Sequence, residues 1–119
     1  MVSSCREQGF RVQDLLTRYE GNEQIVRMLA RFFATDSKLL LFQMQQSIES
    51  NSGQELVAQC QELWTMASNL EASTLCDQIR SLQRTAQSGE MAAAASGLQA
   101  IQIAVDQVCD EFSENGYSE

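Results

Sequence analysis

Leu56-Val57-Ala58-Gln59-Cys60-Gln61-Glu62-Leu63-Trp64-Thr65-Met66-Ala67-Ser68-Asn69-Leu70 is the stretch that decides the fold of this chain. Leu56, Cys60, Leu63, Ala67 and Leu70 recur at intervals of 4, 3, 4 and 3 residues. That spacing gathers them on one side of an α-helix and scatters them over both faces of a strand. A second stripe, Val57, Gln61, Trp64 and Ser68, runs i, i+4, i+7, i+11 and contains no charge. It lies about 100° round the helix from the first. A helix is predicted from about Gln54 to Leu70, with the first stripe facing a core.

The same periodicity extends in both directions. Upstream, a short helix is predicted over Val12 to Tyr19, with Leu15, Leu16 and Tyr19 as its apolar contacts, ended by Glu20-Gly21-Asn22. Asn22 is suited to cap a long helix that reaches Glu49. Its apolar positions Ile25, Met28, Leu29, Phe32, Phe33, Leu39, Leu40 and Ile48 follow helical spacing, and Asp36-Ser37 predicts a kink or break. Ser50-Asn51-Ser52-Gly53 makes the next turn. Downstream, a helix from near Ser73 to Ser88-Gly89 turns Leu75, Ile79, Leu82 and Ala86 inward, and a last one from Glu90 to about Phe112 turns in Leu98, Ile101, Val105, Val108 and Phe112. Residues 1–9 and 113–119 read as polar tails around a single domain at 10–112. Inward stripes joined by short loops specify an all-α, antiparallel helical bundle.

Composition narrows the function. There is no proline, glycine is scarce, and 44% of residues are apolar, which suits long helices around one core. Residues 1–50 carry six basic and six acidic side chains; residues 51–119 carry two basic (Arg80, Arg84) and ten acidic, so the net charge of −8 lies in the second part. An acidic surface argues against nucleic-acid binding and against adsorption to anionic membranes. No apolar run has the length of a membrane span and no signal-peptide layout opens the chain, so a cytoplasmic protein is expected. Cys5, Cys60, Cys76 and Cys109 form no C-x-x-C pair, and without histidine the common zinc ligand sets are gone. Reduced, structural thiols are expected, with no metal and no cofactor.

Cys60-Gln61-Glu62-Leu63-Trp64-Thr65-Met66-Ala67-Ser68-Asn69-Leu70-Glu71-Ala72 resembles the active-site helix of bacterial histidine phosphotransfer (HPt) domains, which reads roughly A-H-x-L-K-G-S-A-x-N-L-G-A. Leu63, Ala67, Asn69, Leu70 and Ala72 match that pattern. Gln61 stands at the phosphorylated histidine, Trp64 at the lysine and Thr65 at the glycine. Phe10 to Leu16 with Gly21-Asn22-Glu23, Leu29 with Phe32 or Phe33, and Leu75-Cys76, Leu82 and Gly89-Glu90 resemble further parts of the family, with Gln83 in place of a glutamate. The resemblance covers residues 10 to about 110 and implies a four-helix bundle with a short N-terminal accessory helix. In the family the histidine meets the aspartate of a receiver domain, the lysine assists electrostatically, and the glycine leaves room for the partner.

The chain contains no histidine at all. A glutamine amide has no basic lone pair with which to accept a phosphoryl group. Cys60 is no substitute, because it falls on the core side of the helix. The resemblance therefore implies a pseudo-phosphotransfer protein, not an enzyme, that binds a two-component partner without transferring phosphate. That partner is a response-regulator receiver domain or a histidine kinase. Val57, Gln61, Trp64, Thr65 and Ser68 are the expected contact residues. Trp64 reads equally as an interface anchor and as a side chain covering the neighbouring helix. An alternative from another class is a homodimeric or structural helical-bundle module that pairs the same Trp64 stripe with its own copy. No glycine-rich phosphate loop, H-E-x-x-H or nucleophile-elbow motif is present.

Overall fold

A computed structural model describes residues 10–117; the expected tail at 1–9, Cys5 included, and residues 118–119 lie outside the described residues. Among the described residues there are five helices and no strand: α1 (Val12–Arg18), α2 (Glu23–Glu49), α3 (Gly53–Asn69), α4 (Ser73–Gln87) and α5 (Met91–Glu114). Asn22 caps α2 as its sequence suggests, its Oδ1 accepting from the backbone N–H of Gln24 at 3.1 Å and of Ile25 at 3.2 Å.

All five helices stop in the same way. Glu20, Asn51, Glu71, Gly89 and Gly116 adopt left-handed backbone, with φ of 56°, 60°, 58°, 80° and 84°. The residue after each then donates back to the last turn: Gly21 to Leu16, Ser52 to Ser47, Ala72 to Ala67, Glu90 to Thr85 and Tyr117 to Phe112. These are Schellman closures, and they satisfy helix-end carbonyls where each helix stops. Glycine and asparagine tolerate this geometry; glutamate at 20 and 71 carries a Cβ there, which costs about 1 kcal/mol.

Such tight connections bring each helix onto the next. α2 packs on α3, α3 on α4 and α4 on α5; α5 returns to α2, and α1 lies against α2. The shared interior holds the inward stripes of α3, α4 and α5, all buried as their spacing predicts. Removing a leucine such as Leu63 or Leu75 from water contributes roughly 1.5–3 kcal/mol.

α2 departs from expectation. It runs for 27 residues without a break at Asp36-Ser37. Its buried stripe is Val26, Ala30, Phe33, Ser37, Leu40, Leu41, Met44 and Ser47, whereas Met28, Phe32 and Leu39 are exposed. Ser37 does not interrupt the core stripe; it belongs to it, fully buried, with no hydrogen-bond partner for its Oγ among the described residues. Ser47 does have one, donating to Gln59 Oε1 across α2 and α3 at 2.9 Å.

The end of the chain departs too. α5 extends to Glu114, and Tyr117 is buried with the Arg27 guanidinium 5.1 Å from its ring centre. Arg27 Nη1 also donates to the Gly116 carbonyl at 3.3 Å. Residues 113–117 therefore fold back onto α2 instead of fraying. Nearby, the Phe10 and Phe112 rings meet at 5.0 Å, and the Val12 N–H donates to Glu111 Oε2 at 3.0 Å, placing a carboxylate at the start of α1.

Candidate functional site

The uncharged stripe of α3 faces α4, where Arg80 and Gln83 project from adjacent turns. Arg80 Nη1 donates to Gln61 Oε1 at 3.0 Å and to Gln83 Oε1 at 2.7 Å. Its guanidinium carbon lies 4.1 Å from the centre of the Trp64 ring, a cation–π stack. Gln83, itself buried, donates from Nε2 to the Val57 carbonyl at 3.1 Å. Helix carbonyls already accept intrahelical bonds, so this amide pins α4 to a specific height on α3. Thr65 Oγ1 donates back to the Gln61 carbonyl at 3.1 Å.

The structure thus brings Val57, Gln61 and Trp64 together in one network. Thr65 is joined to it through the Gln61 backbone. Ser68 lies one turn beyond Trp64 on the same flank. Gln61 and Thr65 are exposed, and Val57, Trp64 and Ser68 are half-buried. Trp64 and Val57 also pack against the hydrophobic core. The indole is therefore held from two sides, by the core below and by a guanidinium across its face. Of the two roles its sequence allows, covering the neighbouring helix is visible here.

Arg80 and Gln83 were not among the residues singled out by the pattern of α3. Their signal was available: Arg80 is one of only two basic side chains after residue 50. Three residues apart on α4, Arg80 and Gln83 share a face beside its core stripe. Contacts between polar side chains on different helices leave no trace in apolar periodicity.

No protein-family model, curated protein or solved structure matches this chain.

The network holds one guanidinium and two side-chain amides, and no cysteine. Burial pushes the Cys60 thiol up to about 12, and burial is also the main cause of the raised values of Cys76 and Cys109. All three thiols stay protonated near neutral pH, the unreactive form. Among the described residues no cluster of cysteine and carboxylate side chains is arranged to hold a metal, and no helix is long and apolar enough to cross a membrane. A groove of about 590 Å³ opens elsewhere, between α2 and α5, with Ala30, Ala34 and Phe112 inside and Arg27, Arg31 and Lys38 along it. It contains no residue of the Gln61 network.

Proposed function

We propose that this chain is a pseudo-phosphotransfer signalling protein. Its four longer helices alternate in direction as an antiparallel four-helix bundle of HPt type, with α1 as the accessory helix. It docks a receiver domain or histidine kinase through the Gln61–Trp64 flank of α3 and transfers no phosphate. Three-residue connections at 50–52, 70–72 and 88–90 favour antiparallel neighbours.

The observation that carries the proposal is the register of the 60–72 stretch. Leu63, Ala67, Leu70 and Ala72, which match the family's apolar positions, are buried, while Gln61, at the histidine position, is exposed. Glu71 takes φ +58° at the position the family fills with glycine, so the backbone demands there what the family pattern supplies. The lysine lost at Trp64 has a counterpart in Arg80. Its guanidinium places positive charge beside Gln61 from the next helix, where an acidic receiver pocket would meet it. Such a protein acts by occupancy, competing with a true phosphotransfer domain or holding a regulator in one state.

Incubation with receivers carrying labelled phosphate tests this. The chain is expected to take up none. Gln61→His alone is expected to remain a poor acceptor, because Trp64 and Thr65 still crowd the approach. Rapid phosphorylation of that variant would overturn the proposed division between scaffold and chemistry.

A further inference from the structure

The outward face of α2 carries apolar side chains that the core does not use. Met28, Phe32, Leu39 and Phe42 are 49%, 55%, 58% and 61% exposed. They fall within an arc of about 80° on the helix. With Ile25 and Thr35 they recur at steps of 3, 4, 3, 4 and 3 residues, the a/d spacing of a coiled coil over three heptads. Arg31 and Lys38 border this seam on one side at g positions, and Leu29, Asp36 and Gln43 border it on the other at e positions.

We propose that this seam pairs with the same seam on a second copy of the chain, α2 against α2, parallel and in register. Charge selects both the occupant and the direction. In a parallel pair each g residue meets the partner's e residue five positions on, so Arg31 faces the partner's Asp36 twice across the two-fold axis. In the antiparallel pair that overlaps the seam end to end, Ile25 opposite the partner's Phe42, Arg31 would face the partner's Lys38, like charge against like. The seam from Ile25 to Phe42 is about 26 Å long. That length is consistent with an interface at the lower end of the standard class, about 1,200 Å² in total, hence a concentration-dependent dimer. The seam shares no residue with the Gln61–Trp64 network, so this dimer stands or falls independently of receiver binding.

Sedimentation equilibrium on the full chain decides it. The mass is expected to rise from 13.3 kDa toward twice that value with concentration. Leu39→Glu, and separately Phe42→Glu, should raise the dimer dissociation constant at least about thirtyfold. Both sites are exposed, so circular dichroism should be unchanged. Arg31→Glu should weaken the dimer several-fold, and adding Asp36→Arg should restore it. Trp64→Ala should leave it intact. A monomer at millimolar concentration, or a dimer indifferent to both glutamate variants, would overturn the proposal. A dimer tightened by Arg31→Glu would overturn the parallel register.

Discussion

The flank of α3 around Trp64 and the outer seam of α2 both carry aromatic side chains outside the fully buried core, yet their surroundings differ. Trp64 lies under the Arg80 guanidinium, with Gln61 and Gln83 bonded to the same nitrogen and Gln83 anchored to α3. Phe32 and Phe42 on α2 remain more than half exposed. One surface is closed by its own chain, and the other is open. Trp64, in a telling motif position, thus serves its own fold first. Under the proposed docking, the rim of the network, Gln61, Thr65 and the Arg80 edge, is what a partner would meet.

Truncation separates the two surfaces most sharply. Trp64→Ala removes packing against the core and the guanidinium stack, and should lower stability by about 2 kcal/mol, read from chemical denaturation. Little change would mean that the indole is as loosely held as the α2 phenylalanines. Gln83→Ala is next in size: it strips a buried amide from Arg80 and from the Val57 carbonyl, for an expected loss of about 1–2 kcal/mol. A neutral result would show that the network is ornamental to α3–α4 packing. Phe42→Ala, measured at concentrations where the chain is monomeric, should change stability by no more than about 0.5 kcal/mol. A larger loss would place Phe42 in the core and close the seam.

The fold was most legible where each helix has one apolar stripe. In α3, α4 and α5 the 4–3 spacing identifies the buried residues, because the far side of each is mostly polar or small, with Ile103 on α5 the large exposed exception. α2 is apolar in two directions, and its inner stripe includes Ser37 and Ser47 while its outer one includes Phe32 and Leu39. Hydropathy cannot rank those stripes; the packing of α3 and α5 on α2 does. The ending at Tyr117 was hidden for a related reason. Its burial depends on a left-handed turn at Gly116 and on Arg27, ninety residues earlier in the chain.

Of the candidate site, the positions on α3 were legible from the motif, but the state of the surface was not. Gln61 and Trp64 are neighbours on one helix, so their spacing reveals their proximity. That Arg80 joins them depends on how α4 sits against α3, which no single-helix pattern contains.

The central proposal is docking through the α3 flank without phosphate, and an NMR titration of isotope-labelled chain with unphosphorylated receiver domains and kinase fragments tests it most directly. Saturable shifts confined to Gln61, Thr65, Ser68, the Trp64 indole and Arg80 are predicted with at least one partner. Spectra unchanged by every receiver and kinase fragment, or shifts confined to the α2 seam, would contradict it.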